Sequence, residues 1–418
     1  MPRLSTPTIL RAYQQDPLLP LLLRECRTID SARNELRWLR QHALDLIIQN
    51  EPHHPEAPQP TSPAPNPPRK NAAIRKGWRR TLREFCHARS RGTPLQYLLG
   101  DQPFGDLTIL CKRGVLIPRN DTETFTYAAA SQILQHASKD NKLKPNTTTA
   151  NNPITTPPQS PLRILDLCTG TGCIALLLHT LLSRAYRTNP NPRPLKILGL
   201  DNNPLALRLA YRNLMHNLAL RTLPPSAPSD IEFHLADVLS TAATNPDKTP
   251  TQKVPSIETL LQRIPAFCPP STPDSSQEKT NGARVDVIIS NPPYISARAL
   301  VDGTTARSVR VYEPLAALVP PLSLSGGLEG GRAEDVFYAR IVGLVKEVGA
   351  RMVLLECGDY AQGERVVQLC RLMVVGPEAG MGREWEVKIW EEDEGSDRDV
   401  EGSKEGACLV VLKRVGSQ

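Results

Sequence analysis

The chain has 418 residues, of which 40 are proline and 5% are aromatic, a composition that predicts ordered domains separated by flexible stretches. It contains no apolar run of about 18 residues, which excludes a membrane span, and its nine cysteines lack the CxxC spacing of a metal site. The formal net charge of +7 favours an anionic partner, such as nucleic acid or a ribosomal complex.

Residues 1–91 are predicted to form a small helical domain, which a proline-rich insertion at 51–68 interrupts. Apolar residues recur at helical spacing from Leu36 onward, and Asp30 with Ser31 is the predicted N-cap. The insertion is predicted to lack regular structure, because its many prolines block helices and sheets and its small apolar surface cannot offset the loss of conformational entropy on folding.

A basic segment at 69–91 is predicted to be an amphipathic helix. Its apolar stripe consists of Ile74, Trp78, Leu82 and Phe85, and Lys and Arg residues occupy the opposite face. The segment holds nine Lys or Arg residues and a single acid. Such a face is usually only solvated, but it also suits contact with a ribosome or RNA.

From residue 161 onward, short apolar runs alternate with helical patterns, which predicts an α/β fold with a doubly wound parallel sheet. The predicted parallel strands are 163–167, 196–200, 286–290 and 351–356. The predicted helices between them are 172–187, 204–219 and 333–349. Residues 385–393 and 407–414 predict a final strand pair, and its connection carries a strongly acidic run at 391–405.

Two polar stretches, 137–160 and about 241–281, are predicted to be flexible insertions. Within the second, only 257–264 is predicted to form a short helix. The ordered blocks that remain are residues 1–91, 92–136 and 161–418, the last interrupted by the second insertion.

A glycine-containing loop, Asp166–Cys173, follows the first strand of the predicted sheet and leads into a helix. Glycines at such a turn let a cofactor approach the backbone, and ligands bind at the carboxyl ends of parallel strands. The spacing differs from the GxGxxG of a pyrophosphate cradle and suits a cofactor without phosphates. The alternative is a turn that only joins strand to helix.

Two aspartates follow the next two strands. Asp201 ends the second strand and has acceptors for both hydroxyls of a ribose, and Asp237 could accept from an adenine amino group. Either alone is equally well explained as a cap or turn residue. Together and in this order they predict a nucleoside pocket.

The sequence Asn291-Pro292-Pro293-Tyr294 directly follows a predicted strand. The Asn291 side-chain carbonyl and the Pro292 main-chain carbonyl can accept the two N–H groups of a planar NH2, and Tyr294 offers a face for packing. This pattern predicts nitrogen methylation, whereas NPPY alone could be a rigid turn. No acid, histidine or lysine lies beside it in the sequence, so we expect late proton loss to water.

The order of these motifs is similar to that of amino-methyltransferases that use S-adenosylmethionine on a Rossmann-like sheet. More narrowly, the chain resembles the HemK-type protein-glutamine N5-methyltransferases. The segments that carry this resemblance are GTPLQYLLGDQPFGDLTILCKRGVLIPRNDTETF (92–125), VYEPLAAL (311–318), GGLEGGRAEDVFY (326–338) and LLECGDYAQGERV (354–366).

The resemblance implies a class I S-adenosylmethionine-dependent methyltransferase sheet with a small N-terminal helical domain, and 92–136 as a connecting hairpin-like segment. It implies methyl transfer to the glutamine of the GGQ motif in a peptide chain release factor. The implied cofactor-binding residues are Cys168, Thr169, Gly170, Thr171, Gly172, Asp201, Asp237, Val238 and Asn291. Asn291, Pro292, Pro293 and Tyr294 would bind the substrate, and Asn291, Pro292 and Tyr294 would carry the catalysis.

This sequence departs from the family pattern at four positions. Cys168 stands where glycine is common, Asn120 and Asp121 replace a Pro-Glu pair, and Glu329 replaces an aspartate. These departures put in doubt only the local shape of the loops that contain them.

Two other functions remain open at this stage. An adenine N6-methyltransferase acting on RNA or DNA would use the same acceptors for an exocyclic NH2. A non-catalytic RNA- or ribosome-binding protein would retain only the fold. The Pro-rich insertions favour a eukaryotic form. The basic, Ser/Thr-containing N-terminus favours a mitochondrial location, with the cytoplasm as alternative, and we expect a monomer.

Overall fold

The computed structural model describes residues 4–49, 70–142, 160–187, 193–240, 254–268, 285–321, 332–375, 384–390 and 406–415. The proline-rich insertion, the acidic run, Glu329 and most of the two predicted polar insertions lie outside the described residues. None of the described helices combines the length and apolar character needed to cross a membrane.

The described elements follow one another as helices first and then as alternating strands and helices. The helices are α1 (Thr6–Gln15), α2 (Leu19–Cys26), α3 (Ile29–Gln49), α4 (Lys70–Ser90), α5 (Leu95–Leu99), α6 (Asn120–Lys142), α7 (Cys173–Arg187), α8 (Pro204–Ala219), α9 (Ala227–Asp230), α10 (Ile257–Leu261), α11 (Ala297–Val301), α12 (Arg307–Tyr312), α13 (Val336–Val348) and α14 (Tyr360–Cys370). The strands are β1 (Asp101–Phe104), β2 (Leu107–Leu110), β3 (Leu162–Leu167), β4 (Leu195–Asp201), β5 (Ile231–Leu235), β6 (Val287–Ser290), β7 (Met352–Cys357), β8 (Trp385–Trp390) and β9 (Cys408–Arg414).

The first compact unit comprises residues 1–101 and 305–312. Its core is leucine-rich, and Trp78, Leu82 and Phe85 of α4 pack into it as the helical stripe predicts. The side chain of Ile74 lies outside the described residues. The α4 residue Arg89 donates two hydrogen bonds to Glu35 of α3, at 2.8 and 2.9 Å, and thus ties the two long helices together.

Helix α3 begins earlier than the sequence predicts. Thr28 Oγ1 accepts the Ser31 N–H at 3.2 Å, which is the contact of an N-cap with the third helical residue. The predicted cap at Asp30 and Ser31 was therefore wrong, because these residues already lie in the first turn.

The second unit, residues 102–304 and 313–418, contains a seven-stranded mixed sheet in the order β5-β4-β3-β6-β7-β9-β8. The first five strands are parallel, and β9 runs antiparallel to both β7 and β8. This is the class I methyltransferase-like arrangement, so the predicted fold class is confirmed. The strand order reverses between β3 and β6, which is where such sheets open a ligand crevice.

Both faces of the sheet are buried, as expected for parallel strands with continuous apolar sequences. Side chains alternate along β3, so Leu162 and Ile164 join one hydrophobic cluster while Leu165 and Leu167 join the other. The first cluster includes α6, α7 and α8, and the second includes α10, α13 and α14. The sheet is therefore a rigid support for the loops at its edges.

The predicted connecting segment 92–136 contains α5, a two-stranded sheet of β1 and β2, and most of α6. Strand β2 is held to α8 by asparagines: Asn217 Oδ1 accepts the Thr108 N–H at 3.0 Å, and Asn213 Oδ1 accepts the Leu110 N–H at 2.7 Å. This attachment positions the chain that follows β2 beside the crevice.

Candidate active site

Three loops meet at the carboxyl edge of the sheet because their strands end in register. Leu167 of β3 pairs with Leu200 of β4 on one side and with Ser290 of β6 on the other. The Ser290 hydroxyl also donates to the Leu167 carbonyl at 2.8 Å. The glycine loop, Asp201 and the NPPY segment therefore begin side by side, although the chain separates them widely.

These loops surround a cleft of about 930 Å³ that is open to solvent. Among the residues predicted for the site, Cys168, Thr169, Gly170, Thr171, Asp201, Asp237, Val238, Asn291 and Pro293 line it. Gly172, Pro292 and Tyr294 do not belong to its lining. The cleft walls also include residues that were not predicted: Thr122, Pro314, Ala316, Ala317 and Phe337.

Gly172 has a packing role that explains its place outside the lining. Its φ of 79° lies in the left-handed region, and a Cβ there would come within 2.9 Å of Phe233 Cζ and 3.1 Å of Ala210 Cβ. Glycine thus lets the loop turn into α7 while the loop backbone rests against Phe233.

Cys168 adopts a φ of 60°, which is an uncommon conformation for a residue with a Cβ. This explains why glycine suits the position in the resembling family. Burial raises the pKa of the Cys168 thiol, and the nearby carboxylates of Asp201 and Asp166 raise it further. The thiol is consequently a packing group in the loop and a poor nucleophile.

The Asp166 carboxyl is hydrogen-bonded to the glycine loop. It is fully buried, and the Thr169 hydroxyl donates to its Oδ2 at 2.6 Å. Its Oδ1 has no hydrogen-bond partner among the described residues. Burial raises the pKa of Asp166 to about 7, although the Thr169 hydrogen bond opposes the rise.

Asp201 is bound by two backbone groups and still has room for a ligand. Its Oδ2 accepts the Gly170 N–H at 2.9 Å, and its Oδ1 accepts the Asn203 N–H at 2.8 Å. Each carboxylate oxygen keeps a second acceptor site, so the pair can still accept two hydroxyls. Burial raises the pKa of Asp201 even though these backbone donors favour the charged form.

Asp237 lies at the same edge, two residues beyond β5. One of its oxygens, Oδ1, accepts the Leu239 N–H at 3.0 Å. Asp201 and Asp237 both line the cleft. A nucleoside with a ribose near Asp201 and a base near Asp237 fits these two acceptors, and the glycine loop on the other side of Asp201 adds no side-chain bulk at Gly170.

The side-chain amide of Asn291 is oriented by a hydrogen bond to Thr122. Its Nδ2 donates to Thr122 Oγ1 at 2.9 Å, and the Thr122 hydroxyl donates to Glu356 Oε1 at 3.1 Å. With Nδ2 engaged in this way, the Asn291 carbonyl oxygen is the atom left for a ligand in the cleft.

Glu356 corrects an expectation from the sequence, which found no acid beside NPPY. Leu355 of β7 pairs with Ser290 of β6, so the next residues, Glu356 and Asn291, are neighbours across the sheet. Burial raises the pKa of Glu356 to about 8, and hydrogen bonds from Thr122 and Asn291 oppose the rise. Its Oε2 has no hydrogen-bond partner among the described residues.

Tyr294 packs into the fold directly behind the cleft. A Cβ at Gly358 would lie 2.8 Å from Tyr294 Cδ2, so the tyrosine ring rests on the glycine backbone. Burial raises the pKa of the Tyr294 hydroxyl. Gln362 fixes the same corner, because its side chain accepts the Gly358 N–H at 2.9 Å and donates to Asp335 at 3.1 Å.

Glu313 is a second buried carboxylate near the cleft that the sequence did not single out. It is buried, accepts the Ile117 N–H at 3.2 Å and receives a hydrogen bond from Arg119 at 2.6 Å. Both Ile117 and Arg119 line the cleft. Its only sequence signal was its place in the VYEPLAAL segment, because its partners lie about two hundred residues away in the chain.

Two of the departures from the family pattern lie outside the lining of the cleft. Asn120 and Asp121 are exposed at the start of α6 and do not line it.

No family model matches the sequence. Curated relatives match over most of the chain. One is the "Mitochondrial MRF1 N(5)-glutamine methyltransferase MTQ1" of Saccharomyces cerevisiae, 28% identical over 77% of this chain and 69% of the yeast protein. A second is the "Probable MRF1 mitochondrial N(5)-glutamine methyltransferase mtq1" of Schizosaccharomyces pombe, 29% identical over 88% of this chain and 89% of that protein. A "Release factor glutamine methyltransferase" of Haemophilus influenzae is 27% identical, over 68% of this chain and 70% of its own.

The solved structures that match this chain are less similar to it in sequence. The "Human methyltransferase 10 domain containing protein" is 12% identical, covers 74% of this chain and 88% of its own, and has a TM-score of 0.33. A ribosomal protein L11 methylase from Lactobacillus delbrueckii subsp. bulgaricus is 11% identical, covers 72% and 82%, and has a TM-score of 0.31.

Proposed function

We infer that this chain, which is homologous over most of its length to mitochondrial and bacterial release factor glutamine methyltransferases, is an S-adenosylmethionine-dependent protein-glutamine N5-methyltransferase. The substrate that we propose is the side-chain amide of the glutamine in the GGQ motif of a peptide chain release factor. When bound, S-adenosylmethionine supplies a methyl group on a sulfonium centre. We assign its nucleoside to the part of the cleft lined by Gly170, Asp201 and Asp237.

One observation carries this proposal. Asn291, the hydrogen-bond acceptor for the substrate amide, and the glycine loop directly follow two paired residues on adjacent strands, Ser290 and Leu167. Neighbouring strands would then hold the substrate amide and the nucleoside cofactor, which fixes the distance between the two. Positioning of this kind can supply several kcal/mol of a reaction barrier.

The chemistry of an amide explains why acceptors are needed. An amide nitrogen is a weak nucleophile, since its lone pair is delocalised into the carbonyl, and it becomes positively charged as the new N–C bond forms. The Asn291 side-chain carbonyl, which faces the cleft, would accept one N–H group, orient the nitrogen and stabilise that charge. The Pro292 main-chain carbonyl remains the proposed second acceptor, although Pro292 is not among the residues that line the cleft.

The nitrogen must then lose one proton. We keep water as the first proton acceptor, because Glu356 does not line the cleft and its side-chain hydrogen bonds are with Thr122 and Asn291.

The names of the two yeast relatives support a mitochondrial location and a mitochondrial release factor as the partner. The basic N-terminal residues support the same location. We also propose that the chain acts as a monomer. Contact of the basic face at 69–91 with RNA or a ribosome is a further proposal.

A single labelling experiment separates the candidate functions. The full chain is incubated with methyl-labelled S-adenosylmethionine and one of three acceptors: a GGQ-containing release factor, its GGA variant, or an adenine-rich RNA. We expect label only on the GGQ factor, at the amide nitrogen. Label on the RNA alone would instead identify an adenine N6-methyltransferase, and label on none of the three would point to a non-catalytic binding protein.

A further inference from the structure

The acceptor side of the cleft contains a buried chain of three side chains that runs from Glu356 through Thr122 to Asn291. We propose that Glu356 and Thr122 are positioning residues that fix which way the Asn291 amide points, so that its Oδ1 faces the substrate NH2. This inference rests on the proposed function, since it assigns the orientation that amide methylation needs.

The direction of the hydrogen bonds decides the orientation. A threonine hydroxyl has a single hydrogen, and Glu356 Oε1 receives it at 3.1 Å. Thr122 Oγ1 can therefore offer only lone pairs to its other neighbour. Asn291 must present Nδ2 to it, because the flipped amide would bring two acceptor oxygens face to face.

A flipped amide would also be wrong for the substrate. It would turn the Asn291 NH2 into the cleft, where it would oppose the N–H groups of the glutamine amide. Glu356 thus acts on the amide through the Thr122 hydroxyl, which it orients, and its own hydrogen bond with Asn291 favours the same orientation, because a carboxyl oxygen accepts from Nδ2.

The surrounding structure prevents this chain from relaxing. Thr122 is 3% exposed and Glu356 is 1% exposed, so water does not compete for their hydrogen bonds. Glu356 is further anchored through its backbone, whose carbonyl accepts the Tyr338 hydroxyl at 2.8 Å.

Thr126 provides a matched control. It is fully buried in the same helix and carries the same hydroxyl, but that hydroxyl bonds only to backbone and does not line the cleft. Thr122→Val, Thr122→Ser, Thr126→Val, Glu356→Met and the Thr122→Val/Glu356→Met double variant are compared with the wild type in the full chain.

Three quantities are measured. These are kcat for a GGQ release factor, the Kd of S-adenosylhomocysteine, and the ¹⁵N-detected side-chain amide resonance of Asn291, which is assigned by its absence in Asn291→Ala. We expect Thr122→Val to lower kcat on the order of tenfold or more, with the Kd unchanged and the Asn291 resonance shifted. Thr122→Ser, which retains a hydroxyl, should keep both kcat and the Asn291 resonance near their wild-type values. Thr126→Val should do the same.

Glu356→Met frees the Thr122 hydrogen to donate to Asn291 Oδ1, so we expect the amide to flip and kcat to fall to a similar extent. Because both residues act through one chain, the double variant should be no worse than the worse single variant. An unshifted Asn291 resonance in Thr122→Val, or a loss that Thr122→Ser does not restore in a folded protein, overturns the proposal. If the wild type fails to methylate the factor, the proposed function fails, while the resonance still tests the orientation.

Discussion

The two sides of the cleft hold their polar groups by different means. On the cofactor side, Asp201 is bound by backbone N–H groups of Gly170 and Asn203, which belong to the turns that follow adjacent strands. On the acceptor side, Asn291 is bound by side chains, Thr122 and Glu356, that lie 234 residues apart in the chain. Backbone turns tolerate changes of neighbouring side chains, whereas a chain of side-chain hydrogen bonds fails when any member is lost.

This difference predicts that substitutions on the two sides change different constants. Acceptor-side changes should lower kcat, and cofactor-side changes should weaken cofactor binding.

The largest expected effect is that of Asn291→Ala. Removing one preorganised acceptor for the amide should lower kcat by about 100-fold or more, while S-adenosylhomocysteine affinity stays within about threefold. Steady-state methylation of a GGQ release factor and calorimetric titration measure the two quantities. A variant with near wild-type kcat would remove Asn291 from the role assigned to it.

The second prediction concerns the buried acid on the acceptor side and uses stability in place of activity. The pKa of Glu356 rises from its ordinary value of 4.5 to about 8 on folding, so the folded state keeps its proton longer than the unfolded state. The stability that this carboxyl contributes is therefore fully present below about pH 4.5 and is lost as the pH rises to about 8.

The Glu356→Gln variant should not lose this stability as the pH rises, because its side chain does not ionise. Relative to wild type, its free energy of unfolding should increase by about 1–3 kcal/mol between pH 5 and pH 9. Urea denaturation at several pH values measures the change. Asp286→Asn, which removes a carboxyl at the other end of β6, is the control, and equal behaviour of both variants would contradict the assignment to Glu356.

A smaller effect is expected on the cofactor side from Asp201→Asn. The substitution keeps one acceptor and removes the charge, so S-adenosylhomocysteine should bind about tenfold more weakly, in line with the net worth of a charge-assisted hydrogen bond. At saturating cofactor, kcat should stay close to that of the wild type. A fall in kcat without a change in Kd would contradict the division of the cleft into two sides.

The smallest effect is expected from Cys168→Gly. Glycine removes the strain of a Cβ at a φ of 60° but costs unfolded-state entropy and some packing, so the stability should change by less than about 1 kcal/mol. Cofactor affinity should be unchanged. Thermal unfolding with and without S-adenosylhomocysteine tests both statements, and a large loss of affinity would give the cysteine a binding role.

Several features could be predicted from the sequence because their signals are local. The strands that became β3, β4, β6 and β7 were continuous apolar runs, and the stripe of α4 recurred at helical spacing, so burial followed from pattern alone. The cleft edge also followed, since Asp201 and Asn291 come directly at strand ends and parallel strands end at one edge.

Local signals failed where several residues compete for one role. Thr28, and not Asp30 or Ser31, caps α3, because all three can serve as N-caps and only the folded backbone selects among them. The contact of Tyr294 with Gly358 likewise joins residues that no spacing rule connects, and the predicted packing of Tyr294 against a substrate stays a prediction.

Periodicity and turn residues act over a few positions, so the class of sheet, the order of the motifs along it and the chemical types at its edge follow from the amino-acid sequence. The orientation of Asn291 follows from contacts between residues that are distant in the chain. The pairing of β6 with β7 and the docking of α6 bring Glu356 and Thr122 to it, and a hydrogen bond between side chains so distant in the chain has no local cause.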